Sequence, residues 1–162
     1  MRELELSSEL RHLKRVRGWV QKACREAGLS DEAVSDMRLV VGEAFTNCVE
    51  HGYGYDPHGR VRLTGDVEGD QFVIRVSDKG ESFELEDRGD PDLTEAHEGG
   101  YGLYLMKQLT DRFEVCAAER RGTTVILAKR IDSPPHRPSG DGEGDGSAGM
   151  GRVAKELFGD IR

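Results

Sequence analysis

The chain has 162 residues, a length that suits one domain with a sizeable hydrophobic core and leaves little sequence for a second. Its formal net charge of -8 argues against direct binding of nucleic acid, because proteins that neutralise phosphates present a basic surface. No apolar run is long enough to cross a bilayer, and the opening MRELELSSEL lacks the pattern of a signal peptide. We therefore expect a cytoplasmic protein without membrane contacts.

The first half of the chain has the periodicity of a short strand followed by two helices. Residues 4–6 alternate between apolar and polar side chains, which is a weak strand signal, and apolar residues then recur at helical spacing over residues 10–27. Gly28 is expected to end this helix. Ser30 is expected to cap the next helix, which should run to about His51.

The second half predicts two hairpins separated by a glycine-bearing segment and a helix. The four strand-like runs are residues 61–67, 71–77, 113–118 and 123–128. Between the hairpins lie a polar segment, residues 78–100, and a helix from about residue 103 to residue 110. This order of elements predicts an α+β domain with helices layered on one face of a sheet.

The composition changes after Ile131, where the segment DSPPHRPSGDGEGDGSAG has almost no apolar side chain. Such a segment cannot offset the entropy lost on ordering, so residues 132–150 are predicted to be a flexible linker. Residues 151–162 form a short tail, which would either dock as a helix or fray. The domain itself is predicted to span residues 1–131.

The cysteines and one basic run are given structural roles. Cys24, Cys48 and Cys116 lie far apart and form no C-x-x-C pair, so neither a disulfide framework nor a zinc site is predicted. We expect all three to be small core residues. The basic run of residues 11–22 is expected to be a solvated helix face, with a docking surface for an acidic protein as the alternative.

A polar stripe lies on the otherwise apolar second helix. In the stretch EAFTNCVEHGY, Glu43, Asn47 and His51 are spaced by four residues, so they are neighbours along one side of the helix. A packed helix would not place a carboxylate, an amide and an imidazole in its core. The stripe therefore either faces water or lines a site.

Two glycine-bearing stretches complete the candidate site. Asp78 ends a strand and is followed by Gly80, a pattern that is also common in ordinary turns. Gly99, Gly100 and Gly102 directly precede a helix, where free backbone N–H groups can hold an anion, although glycines there also form plain turns. The chain has no P-loop. If the helices cover the sheet, the stretches would converge on one pocket.

Taken together, these stretches resemble a known family. The order E-x-x-x-N, D-x-G and G-x-G-L before a helix is similar to the N, G1 and G2 boxes of the GHKL ATPases, the Bergerat-fold group that includes histidine kinases. Within that group, EAFTNCVEHGY, SDKGESFE and EGGYGLYLMKQLTD resemble the anti-sigma-factor serine-protein kinases of bacterial partner switches. The resemblance covers roughly residues 4–130. It implies a two-layer α+β sandwich, with a mixed β-sheet covered on one face by helices.

The resemblance also implies roles for individual residues, with ATP and Mg²⁺ as cofactors. Glu43 would be the general base and Asn47 the Mg²⁺ ligand, while Asp78 would accept a hydrogen bond from the adenine amino group. Residues 81–98 would form a short lid. Many members of the family have a glycine where this chain has Ser82. The full set of cofactor-binding residues implied is Asn47, His51, Asp78, Gly80, Ser82, Gly99, Gly100, Tyr101, Gly102 and Leu103.

Three interpretations of function follow. The leading one is an ATP-dependent serine/threonine-protein kinase that phosphorylates a STAS-domain anti-anti-sigma protein and sequesters a sigma factor, with a homodimer implied by the resemblance. The second is a nucleotide-gated binding module without significant kinase turnover. The third, the nucleotide-binding domain of a sensor histidine kinase, is disfavoured because no upstream dimerisation helix with a phosphoacceptor histidine is visible.

Overall fold

The computed structural model describes residues 1–82, 101–117 and 121–131. These residues form five strands, three α-helices and two short helical turns. The strands are β1 (Arg2–Ser7), β2 (Arg60–Glu68), β3 (Gln71–Asp78), β4 (Arg112–Ala117) and β5 (Thr123–Arg130). The helices are α1 (Leu13–Ala27), α2 (Asp31–Asn47) and α3 (Tyr101–Leu109), with a 3₁₀ turn at Leu10–His12 and a π-helical turn at Cys48–Gly52.

The predicted helix boundaries around Gly28 and Ser30 are confirmed. Gly28 ends α1 with a φ of 90°, a left-handed conformation that glycine adopts without steric cost, and its N–H donates to carbonyls in the last turn. Ser30 caps α2, since its Oγ accepts a hydrogen bond from the N–H of Ala33 at 3.3 Å. Beyond Asn47 the helix widens into the π-helical turn, so the helical run ends at Gly52, next to the predicted end.

The described strands form one sheet in the order β1-β2-β3-β5-β4, and every neighbouring pair is antiparallel. The predicted α+β arrangement is confirmed, but the expectation of a mixed sheet is wrong for these strands. Two of the four pairs, β2–β3 and β4–β5, are hairpins and must be antiparallel, because a short turn reverses the chain. The other two pairs, β1–β2 and β3–β5, are antiparallel as well.

The hydrophobic core lies between the helices and one face of the sheet. Large, fully buried side chains come from both layers, among them Phe45 on α2 and Phe72 on β3. Cys24 and Cys48 are buried as predicted, but Cys116 is exposed. Cys116 alternates on the edge strand β4 with residues that pack on the core, so its side chain points to the opposite face. No helix among the described residues is long and apolar enough to span a membrane.

Gly18 is an exposed glycine in the interior of α1, and replacing it tests that position. It is exposed in the middle of the helix, and a Cβ built there has nothing within 4 Å. Because glycine inside a helix costs about 0.5–1 kcal/mol relative to alanine, Gly18→Ala should raise the melting temperature. The matched control is Gly122→Ala, which should lower it, since Gly122 has a φ of 103° and its Cβ would lie 2.2 Å from the Asp78 carbonyl oxygen. A less stable Gly18→Ala variant would show that Gly18 is not an exposed, helical residue with free space at its Cβ position.

Candidate functional site

The polar stripe of α2 faces the start of α3. Glu43 and Asn47 are both half-buried. A Cβ built at Gly102 would lie 3.2 Å from Glu43 Oε2 and 3.9 Å from Asn47 Nδ2, so the backbone of α3 reaches both side chains at a position that has no side chain of its own. The structure thus brings together the helix stripe and the glycine-bearing helix start. His51 is exposed in the π-helical turn, beyond this contact.

Opposing electrostatic influences act on the Glu43 carboxyl. Burial raises its pKa above the ordinary value, and the nearby carboxylate of Glu50 acts in the same direction, whereas the guanidinium of Arg17 lowers it. A carboxylate with a raised pKa is a stronger base than an exposed one. Burial therefore gives Glu43 a property that a proton acceptor needs.

Asp78 forms the second part of the site, at the end of β3. Its side chain is only 6% exposed, and Oδ1 accepts a hydrogen bond from the N–H of Gly80 at 2.9 Å. Oδ2 is buried and has no hydrogen-bond partner among the described residues. Burial raises the pKa of the Asp78 carboxyl, against the opposing effects of the Gly80 N–H and the nearby Cys48 thiol. A buried acceptor left without a donor is costly unless a ligand supplies one.

Backbone packing fixes the position of Asp78. The N–H of Glu81 donates to the Gly52 carbonyl at 2.7 Å. A Cβ at Gly80 would lie 2.0 Å from that same carbonyl oxygen, and one at Gly52 would lie 3.0 Å from Asp78 Oδ1. Gly80 is therefore required by its contact with the π-helical turn. The predicted role of Gly80 was to let the backbone approach a bound ligand closely. The contact with Gly52 does not test that role, which stays a prediction.

Gly122, the residue before β5, also lies near the end of β3. Ser82 Oγ donates a hydrogen bond to the Gly122 carbonyl at 3.1 Å, which joins the residues after β3 to the start of β5. Thr123, the next residue, is almost fully buried, and a hydrogen bond from its backbone lowers the pKa of the Asp78 carboxyl. Sequence reasoning missed Gly52, Gly122 and Thr123 as site residues. The glycines were visible only as turn signals, and nothing local predicted that they would meet Asp78.

The remaining predicted residues fall into two groups. Tyr101 and Leu103 are half-buried in the first turn of α3, on either side of Gly102. Gly99 and Gly100 lie outside the described residues, as does residue range 83–98 of the predicted lid. Among the described residues, no group of three or more His, Cys, Asp or Glu side chains could hold a metal ion. An ion at Asn47 would therefore need other ligands, such as phosphates and water.

A cavity of about 570 Å³ lies at the Gly52–Gly80 contact. Its lining includes His51, Tyr53 and Lys79 as well as those two glycines, but neither Glu43 nor Asp78. The lining of this cavity therefore does not include Glu43 and Asn47 of the polar stripe of α2 or the buried carboxyl of Asp78.

The chain is similar in sequence to known proteins. The histidine kinase-like ATPase domain family matches residues 6–129. The serine-protein kinase RsbW of Bacillus subtilis is 31% identical over 139 residues, which cover 80% of this chain and 85% of that protein. RsbW of Listeria monocytogenes is 36% identical over 114 residues, which cover 65% of this chain and 71% of that protein.

The fold is also found in a solved structure. The crystal structure of the RsbU and RsbW domains of a Mycobacterium tuberculosis protein matches with a TM-score of 0.59 and 21% sequence identity. The match covers 86% of this chain and 35% of that longer one, and it shows a shared fold. The family and the α+β architecture predicted from the three boxes are confirmed: the chain belongs to the histidine kinase-like ATPase domain family.

Proposed function

We propose that this chain is an ATP-dependent serine/threonine-protein kinase and anti-sigma factor. It phosphorylates a STAS-domain anti-anti-sigma protein and sequesters a sigma factor, as a homodimer in the cytoplasm. The observation that supports the proposal is the proximity of Gly102 to both Glu43 and Asn47, a carboxylate and an amide side chain, at a glycine-bearing helix start. The similarity to RsbW serine-protein kinases supports the same reaction class.

The residues around Asp78 fit an adenine nucleotide. The buried Oδ2 of Asp78 has no donor among the described residues, and the exocyclic amino group of adenine is a donor of suitable chemistry. Asn47 offers an amide oxygen, a hard ligand that leaves Mg²⁺ able to keep phosphate and water ligands. Gly102, together with Gly99 and Gly100, would present backbone N–H groups to phosphates. The proposed binding residues also include His51, Gly80, Ser82, Tyr101 and Leu103.

Glu43 is proposed to accept the proton of the attacking serine or threonine hydroxyl. ATP supplies the phosphoryl group that is transferred, with Mg²⁺ offsetting its charge. The half-buried carboxylate is suited to this role because it is held next to Gly102 without a hydrogen bond or ion pair of its own among the described residues. Proton transfer to a positioned base contributes about 10²–10⁴-fold to a rate. Loss of this carboxylate should therefore lower phosphoryl transfer more than nucleotide binding.

A phosphorylation assay tests the proposed function. Partners are co-purified with the chain from its native cytosol, incubated with Mg-ATP, and examined by intact-mass spectrometry and peptide mapping. We expect a STAS-domain protein to gain one phosphate on serine or threonine when Mg-ATP is added. A sigma factor should be among the proteins that co-purify with the chain before that addition. If nucleotide changes the capture of a partner but no partner gains phosphate, the binding module is the correct function.

The domain boundaries lead to a separate expectation. We propose that residues 1–131 form the kinase domain, residues 132–150 a linker and residues 151–162 a tail. Deleting residues 132–162 should leave the affinity for ATP unchanged within about threefold, since Asp78, Asn47 and Gly102 all precede the deletion. Calorimetric titration of the full chain and the truncated chain checks this. A large loss of affinity would place the tail against the nucleotide site.

A further inference from the structure

The hydroxyl of Tyr53 lies between the beginning of β2 and the end of β3. It donates a hydrogen bond to the Arg60 carbonyl at 2.7 Å and accepts one from the N–H of Lys79 at 2.9 Å. The last pair in the β2–β3 register is Val61 with Asp78, so Arg60 and Lys79 would form the next pair of the ladder. The phenol therefore joins the two strands at the point where their backbone pairing ends.

Residues 79–81 directly follow Asp78, and each of their backbone N–H groups has an acceptor. The first donates to the Tyr53 hydroxyl, the second to Asp78 Oδ1 at 2.9 Å, and the third to the Gly52 carbonyl at 2.7 Å. Two of the three acceptors thus belong to neighbouring residues at the end of the π-helical turn, and one of these two is a side chain. Removal of the Tyr53 hydroxyl would take away the acceptor closest in sequence to the Asp78 carboxyl, while the other two would stay.

The ring of Tyr53 is itself held by its surroundings. It is half-buried and packs against the hydrophobic core. A Cβ built at Gly59 would overlap the ring and would lie 2.6 Å from Ser8 Oγ, so the ring lies against backbone that has no side chain. Ser8 is almost fully buried, and its Oγ donates to the Asp56 carbonyl, which holds the loop that precedes β2. The hydroxyl is therefore carried by a ring that has little room to move.

From these contacts we propose that Tyr53 is a positioning residue for the adenine nucleotide, because its hydroxyl holds the backbone after Asp78 and so keeps the carboxyl oriented toward the ligand. The inference rests on the proposed function, in which Asp78 binds adenine. The π-helical turn before Tyr53 continues the helix that carries Asn47, so the same run of chain would position both ends of the nucleotide. Tyr53 acts through Asp78, so it should affect the affinity for nucleotide and leave phosphoryl transfer at saturating ATP unchanged.

Calorimetric titration with ADP compares Tyr53→Phe with the matched control Tyr55→Phe. Each substitution removes one phenol hydroxyl, but Tyr55 is exposed and its hydroxyl donates to the Glu50 carboxylate at 2.9 Å. We expect Tyr53→Phe to weaken binding of ADP roughly three- to tenfold, the size of one hydrogen bond, and Tyr55→Phe to bind like the wild type. Tyr53→Phe that melts at a lower temperature but binds ADP as tightly as the wild type would show a purely structural role, and would overturn the proposal.

A double-mutant cycle with Asp78→Asn tests whether Tyr53 acts through Asp78. The affinity for ADP is measured for Tyr53→Phe, for Asp78→Asn and for the double variant. We expect the loss caused by Tyr53→Phe to become much smaller in the Asp78→Asn background, because no carboxylate is left to orient. Equal losses in both backgrounds would mean that Tyr53 acts on the nucleotide by another route, which contradicts the proposal.

Amide hydrogen exchange supplies a readout that needs neither nucleotide nor kinase activity. Tyr53→Phe should speed exchange of the Lys79 N–H several-fold, whereas the N–H of Glu81, which donates to Gly52, should change less. Unchanged exchange at Lys79 would refute the positioning role. If the wild type binds no ADP, the proposed function fails and the positioning role fails with it. If the wild type binds ADP and Tyr53→Phe binds it equally well, this inference alone fails.

Discussion

Replacing Glu43 by alanine should lower the rate of phosphoryl transfer by roughly a hundredfold or more, while the affinity for ATP stays close to that of the wild type. A base that acts on the attacking hydroxyl contributes mainly in the transition state, so its loss appears in kcat. In the proposed function, nucleotide affinity comes from other groups, namely Asp78 and the backbone at Gly102. Binding and catalysis should therefore separate in this variant.

The matched control is Asn47→Ala, one helical turn along the same face of α2. It should lose both phosphoryl transfer and tight binding of Mg-ATP, because the proposed metal site would lack its protein ligand. Unfolding of α2 would affect both variants alike, so circular dichroism and melting curves accompany the assays. Single-turnover kinetics at saturating Mg-ATP measure the chemical step. An unchanged rate in Glu43→Ala would remove the base and favour the nucleotide-gated binding module.

The fold was largely predictable because its signals are local. Gly28 and Ser30 act within one helical turn of their own positions, and alternation along residues 61–67 and 71–77 reports directly which face is buried. Strand order and sense are not local properties. The expected mixed sheet came from the resemblance, whereas the described strands are all antiparallel. The exposure of Cys116 likewise depends on β4 being an edge strand, which its own sequence does not reveal.

The candidate site, like the fold, was predictable where the signal is local and not where it depends on packing between distant parts of the chain. Glu43 and Asn47 could be paired from their spacing alone, because the geometry of an α-helix fixes neighbours four residues apart. The contacts of Gly52 with Asp78, of Gly122 with the end of β3, and of Arg17 with Gly42 join distant parts of the chain. Only the packing of α1 and the sheet around α2 creates them. The π-helical turn that carries Gly52 also has no signal in the sequence.

Asp78→Asn should weaken binding of adenine nucleotide by about 1.5–3 kcal/mol, the worth of a hydrogen bond to a charged group. The N–H of Gly80 already donates to Oδ1 at 2.9 Å and would hold the amide oxygen of the variant in that place. The amide nitrogen would then occupy the position of Oδ2, where it meets the adenine amino group donor to donor. Calorimetric titration with ADP measures the loss, and equal affinity in the two proteins would remove Asp78 from the nucleotide site.

The same substitution should stabilise the nucleotide-free protein at neutral pH. Burial raises the pKa of the Asp78 carboxyl in the folded state above its ordinary value of 3.8, so the folded state holds this proton more tightly than the unfolded state does. The stability contributed by the protonated group is fully present below pH 3.8 and is lost as the pH rises through the raised pKa of the folded state. At pH 7 the wild type therefore bears the cost of a buried carboxylate whose Oδ2 has no hydrogen-bond partner in the described part of the chain, while the neutral amide of the variant bears a smaller cost. Asp78→Asn should melt at a higher temperature than the wild type at pH 7, and the difference should shrink as the pH falls toward 3.8. A variant that binds ADP weakly but is also less stable at pH 7 would show that the carboxylate serves the fold itself and is not held ready for a ligand.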